Sequence, residues 1–356
     1  MESSRCLFDL PEADLLQVIK EAREDLQQLQ GRRIFITGGT GFFGKWLLAS
    51  LVYAEVQMGL NLQLTILSRD PASFVTRFPE TGKQAVLRFL RGDVSTWTGN
   101  DERYDFVLHA ATDTVAIAGE AQEEIRGRAI VEGTSRMLAL ASASGARRLL
   151  NISSGAVYGS SAGQMGGAKE EDYETAIPLT SYARAKREAE RLCGESGFDF
   201  VTARAFAFLG PYLPLDAHYA AGNFLRDAQR GGPIFVRGDG TALRSYLHPV
   251  DLVIWLLRLL VRGKKARAYN VGSDEAISTA ELARRIAAAA PTPVEVVIQS
   301  QQAHGSQNRY HPNIARARSE LNVDVSIGLN EAIGRTLAFL NHRRALNLDG
   351  GFRRGS

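Results

Sequence analysis

The chain has 356 residues, 45% apolar and 23% charged, with a net charge of +3. That is room for one large or two ordinary globular domains. No long basic run points to a nucleic-acid partner, no apolar run reaches the length of a membrane span, and the N-terminus lacks a signal-peptide core. Cys6 and Cys193 form no metal-ligand pattern and suit a reducing compartment, so a soluble, cytoplasmic protein without metal or disulfide is expected.

In chain order, residues 11–30 predict a helical extension. Pro11 suits a first turn, Leu15, Leu16, Ile19, Ala22, Leu26 and Leu29 trace one apolar stripe, and Gly31 ends it. Alternation follows. Strands are predicted at 33–37, 62–68, 85–91, 106–110, 148–153 and 200–205. Helices are predicted at 42–58, from 72, at about 120–144 and at 181–196. Apolar strands alternating with helices predict an α/β fold, a doubly wound parallel sheet of the Rossmann type. After Gly210-Pro211 the rhythm loosens into segments at 223–230, 252–261, 279–289, 294–298 and 329–341. These predict a smaller C-terminal domain, interleaved with the first because 268–271 can return a strand. The expected organisation is an extension at 1–30, a dinucleotide domain at 31–210, a mainly substrate-binding domain at 211–345 and a flexible tail at 346–356.

Gly38, Gly41 and Gly44 lie between the first strand and the first long helix, with Thr40, Phe42 and Phe43 among them. That spacing allows a sharp turn, close approach to a pyrophosphate and tight helix packing. The second strand ends in Ser68-Arg69-Asp70. Ser68 and Arg69 can hold a ribose 2′-phosphate, whereas Asp70 could serve a 2′-hydroxyl, so NADP is favoured over NAD. Asp93 and Val94 after the third strand, and Ala110 and Ala111 after the fourth, fall where the rest of the cofactor would lie.

Tyr182 and Lys186 are four apart, on one face of a helix, and Ser154 closes an apolar strand. Taken alone, a tyrosine and a lysine at that spacing often decorate a solvated helix. With the glycine loop upstream, they predict carbinol–carbonyl chemistry. Tyr182 moves the proton, Lys186 lowers the phenol pKa from its usual value of about 10 and holds the nicotinamide ribose, and Ser154 orients the reacting oxygen.

With these pieces in place the chain resembles the extended short-chain dehydrogenase/reductases, in the branch of nucleotide-sugar epimerases, dehydratases and reductases. The resemblance spans about residues 32–340. It rests on TGGTGFFG (37–44), HAAT (109–112), SSGAVYG (153–159), YARAK (182–186), FLGPY (208–212), GDGTALRSYLHPVDL (238–252) and YNVG (269–272). It implies a nucleotide-diphosphate sugar as partner, gripped by Asn223, Phe224, Arg244 and Arg309 with Ser154 at the sugar. It also implies a homodimer paired through the two long helices. Family dehydratases and decarboxylases carry acidic residues just after the catalytic serine or threonine, and Gly155-Ala156 stand there. On that ground 4,6-dehydration is disfavoured. The expected activity is an NDP-sugar epimerase acting at C4, with an NADPH-dependent 4-ketoreductase, or a non-catalytic dinucleotide-binding sensor or assembly subunit, as alternatives.

Overall fold

The structure is a computed structural model that describes residues 6–112, 120–163, 166–178, 180–217, 219–300 and 309–346. Apart from Leu346, the expected C-terminal tail lies outside the described residues. The sheet is built from β1 (Arg33–Thr37), β2 (Gln63–Ser68), β3 (Leu87–Arg91), β4 (Phe106–His109), β5 (Arg148–Ser154), β6 (Phe200–Ala205) and β9 (Arg267–Val271). Its seven strands run in the order β3-β2-β1-β4-β5-β6-β9, every neighbouring pair parallel. The sequence-predicted doubly wound sheet is therefore present, and 267–271 does return to it.

The strands are apolar on both faces because both are covered. Ile34 and Ile36 of β1, Phe106 and Leu108 of β4, and Leu150 and Ile152 of β5 enter one core. Phe35, Val107 and Leu149, the alternate residues, enter the other. The first core is covered by α3 (Phe42–Met58) and α8 (Pro249–Arg262), the second by α5 (Glu120–Ala143) and α6 (Ser181–Glu195), which pack on each other. Helix α8 begins three residues before its apolar run, with Pro249 at its first turn and the His248 ring accepting from the Val250 N–H.

The N-terminal extension is not one helix. A short turn at Leu7–Asp9 precedes α1 (Glu12–Glu21), and a break at Ala22 separates α1 from α2 (Arg23–Gln28). Helix α1 packs on α3 and α8, and α2 on α8. Asp25 on α2 is fully buried and pairs with Arg258, at 3.1 Å, and Arg262 of α8. Asp25→Asn is expected to lower stability by about 2 kcal/mol, read as a fall in the denaturant midpoint at unchanged slope. An unchanged midpoint would show that the pair contributes nothing.

The remaining elements lie mostly after β6 and pair short strands with helices. They are α4 (Pro71–Arg77), α7 (Ala220–Arg230), β7 (Ile234–Val236), β8 (Leu243–Arg244), β10 (Ile277–Ser278), α9 (Thr279–Ala289), β11 (Val296–Ile298), β12 (Arg309–Tyr310), α10 (Ala315–Leu321) and α11 (Leu329–Ala345). They form a three-stranded sheet, β10-β8-β12, and a two-stranded one, β11-β7. Among the described residues no helix is long and apolar enough to cross a membrane.

Candidate active site

The glycine loop joins β1 to α3 at the carboxyl ends of the strands. Gly38 has φ +76, and a Cβ there would stand 2.6 Å from the Ala110 carbonyl carbon. A Cβ on Gly44 would meet the Gly39 carbonyl at 2.3 Å. Gly41 stands at the N-cap of α3 and no side chain caps that end, so the first-turn N–H groups face the loop's concavity. This cradle fits a dinucleotide pyrophosphate. Lys45 Nζ braces the loop by donating to the Thr40 carbonyl at 2.8 Å, and Phe43 stands edge-on to Phe208 at 4.7 Å.

At the end of β2, Ser68 is the last strand residue and Arg69 follows it. Asp70 Oδ1 accepts from the Ser73 N–H at 3.0 Å and caps α4. Asp93 Oδ1 accepts from the N–H and hydroxyl of Ser95, bonds that hold its carboxyl below the usual range. Val94 packs towards Gly133 of α5. Ala111 N–H donates to Thr37 Oγ1, which in turn bonds His109 Nδ1 at 2.8 Å. Burial, aided by the Lys186 charge, drops the His109 pKa to about 3. The neutral ring then donates from Nε2 to Thr134 at 3.2 Å. The sequence reading missed this buried relay behind the cofactor loop.

Ser154 ends β5, and Tyr182 and Lys186 lie on the first turns of α6, whose N-terminus is capped by Thr180 Oγ1. The three side chains converge. The Ser154 hydroxyl lies close enough to the Tyr182 phenol to favour its ionised form, and it accepts from the Ala156 N–H at 3.2 Å. Lys186 Nζ, 6.0 Å from the Tyr182 ring centroid, donates to Thr112 Oγ1 at 2.7 Å and to the Ile152 carbonyl at 2.8 Å. One expectation is overturned here. Burial pushes the Tyr182 phenol up, to about 12, rather than down, and Lys186 itself falls to about 8 by burial. The Ser154 hydroxyl and the charge of Arg126 oppose the rise at Tyr182.

The residues expected at the substrate lie in different settings. Asn223 is on α7, its Oδ1 accepting from Arg226 at 3.2 Å. The side chain of Phe224 is 3% exposed and belongs to the main core, which leaves its backbone for any ligand contact. Arg244 faces Tyr310 across the β8–β12 pair, whereas Arg309 stands opposite Leu243 and so falls on the other face of these strands, which the sequence reading did not foresee.

Tyr310 was missed in the sequence. Its hydroxyl lies 3.5 Å from Ser154 Oγ, with Arg244 5.9 Å from its ring centroid and Phe206 tilted against it at 4.9 Å. Burial holds this phenol well above its usual range. The site thus carries a serine, two phenols, an ammonium and the Arg244 guanidinium where the strands end, beside a phosphate cradle. Such a set can move a proton at a carbinol oxygen and bind a polyanion.

Comparison with known proteins agrees with this geometry. The profile of the NAD dependent epimerase/dehydratase family matches residues 34–272. A dTDP-glucose 4,6-dehydratase of Streptomyces niveus is 26% identical over 329 residues, covering 88% of this chain and 94% of that protein. A UDP-glucuronic acid decarboxylase of Arabidopsis thaliana is 26% identical over 326 residues, covering 90% and 72%. The epimerase Mth375 of Methanothermobacter thermautotrophicus superposes with a TM-score of 0.78 at 22% identity, covering 94% of this chain and 98% of its own. The dehydratases and decarboxylases among these relatives overturn the exclusion of dehydration drawn from Gly155-Ala156.

Proposed function

Since the chain belongs to the NAD dependent epimerase/dehydratase family, we propose that it oxidises a ring carbon, C4, of a nucleotide-diphosphate sugar and elaborates the resulting 4-keto sugar by dehydratase-type chemistry. The observation that carries this reading is the convergence of Ser154, Tyr182 and Lys186 beside the glycine loop. Bound nicotinamide dinucleotide supplies the hydride acceptor. Tyr182 accepts the C4 hydroxyl proton, Ser154 donates to the same oxygen and steadies the charge that develops there, and Lys186 holds the Thr112 turn and the cofactor ribose. Arg244 meets the diphosphate.

A dehydratase needs a proton for the departing hydroxyl. Tyr310, protonated because it is buried and 3.5 Å from Ser154 Oγ, can deliver it in place of the acids missing at Gly155-Ala156. The second reading, epimerisation at C4, is favoured by those same two small residues, since that reaction needs no leaving-group acid. The test is to incubate the protein with UDP-, dTDP-, CDP- and GDP-sugars and either cofactor, then follow products by mass and NMR. Loss of water with a stable 4-keto product supports the dehydratase reading, and an inverted C4 of unchanged mass supports epimerisation. Inertness toward every nucleotide sugar, with a bound dinucleotide, would sink both and favour a sensor or assembly role.

The cofactor reading turns on the end of β2. Asp70 is engaged as a helix cap, and Arg69, which follows Ser68 at the end of β2, is the cation placed toward the adenosine ribose, which supports NADP. Calorimetric titration is expected to give tighter binding of NADP than NAD, and the reverse order would overturn it.

A further inference from the structure

Arg126 has no task in the chemistry above, yet it lies against the group that performs it. Helix α5 packs along α6 and lays the Arg126 guanidinium carbon 4.9 Å from the centroid of the Tyr182 ring. The side chain is 10% exposed and pairs with Glu123, one turn back, at 3.1 Å. We infer that Arg126 is a positioning residue for Tyr182, fixing the ring on one side and favouring its phenolate through the ring face. The inference rests on Tyr182 being the acid/base.

The physical reason is the charge of the ring. The face of a phenol is weakly negative and becomes more so when the hydroxyl ionises, so a cation on that face favours the phenolate. An arginine keeps its charge at every pH a protein survives. Lys186 does not do this task alone, because its ammonium is turned to Thr112 and the Ile152 carbonyl. The other charged or titratable groups facing Tyr182 are Tyr219 ahead of α7, Tyr310 on β12 and, past Tyr310, Arg244 on β8, while Glu123 on α5 partly offsets Arg126. Of these, Tyr219 and Tyr310 would oppose ionisation. Arg126 therefore supplies charge from the helix opposite the one that bears the phenol.

The test reads the phenol directly. Tyrosine labelled at Cζ is introduced, the Tyr182 resonance is identified by its loss in Tyr182→Phe, and its shift is followed to the alkaline edge of the folded range, where a phenol near 12 begins to ionise, so that the ionised fraction is compared there. Arg126→Gln is expected to raise the phenol pKa by about one unit, lowering the ionised fraction about tenfold. Arg126→Lys restores part of it. Glu123→Gln, which frees the guanidinium of its counter-charge, should move the fraction the other way. Where a nucleotide sugar is turned over, kcat for Arg126→Gln falls by the same factor at every pH below the phenol midpoint, with cofactor affinity unchanged. An unmoved Tyr182 resonance in both Arg126→Gln and Glu123→Gln overturns the inference. The resonance is read without turnover, so failure here is separable from failure of the catalytic reading, which shows as full activity in Tyr182→Phe.

Discussion

Tyr182→Phe is expected to slow turnover about 10²–10⁴-fold while leaving dinucleotide binding intact. The phenol stands beside Ser154 at the end of β5, and under the proposed mechanism its removal takes away the proton acceptor without emptying space, since the ring stays. Ring packing against Arg126 also survives the change. The check is a steady-state rate with any accepted nucleotide sugar, beside a calorimetric cofactor titration. A variant that turns over at the parental rate would remove Tyr182 from the chemistry, and one that loses the cofactor would make the residue a binding group instead.

Gly44→Ala should weaken dinucleotide binding about 100-fold, equivalent to ~2.7 kcal/mol. The added methyl would stand 2.3 Å from both the carbon and the oxygen of the Gly39 carbonyl and 2.4 Å from the Gly38 oxygen. These are backbone atoms, so the loop itself must move, and with it the N–H groups that would face the phosphates. Gly194→Ala on α6, where nothing lies within 4 Å, is the control and should bind like the parent. Equal binding by Gly44→Ala would mean that the pyrophosphate does not rest on this turn.

The dinucleotide half was legible because its signals are local. RIFIT reads as a buried strand from its own residues, the three glycines state a turn that nothing larger can make, and α3 runs over the same residues that its pattern predicts. In the second half the longer segments were legible too, α9 over the same residues, but the strands β8, β10 and β12 were not, because they are two residues long. Pieces that short are set by what they pair with rather than by their own periodicity. Hence Arg309 was named from the resemblance while its neighbour Tyr310, which lies 3.5 Å from Ser154 Oγ, was passed over.

Helical spacing likewise placed Lys186 beside Tyr182 but could not say where the ammonium points, and it turns to Thr112 and Ile152. Arg126 was invisible for a related reason. Which face α5 offers to α6 depends on how two helices meet, a property that neither carries alone. The exclusion of dehydration failed because the absence of acids in one dipeptide was taken as the absence of any proton donor, although a phenol can arrive from a distant strand.

The charge pairs of the N-terminal extension have a consequence for how the molecule is made. Asp14, which is 2% exposed, and Asp9 find their counter-charges on Arg335 and Arg343 of α11, close to the other terminus. A ribosome emits those acids roughly three hundred residues before the matching arginines. A product that stops short of α11 holds a carboxylate in its interior with no cation to meet it. Synthesis of α11 is thereby written into the stability of α1.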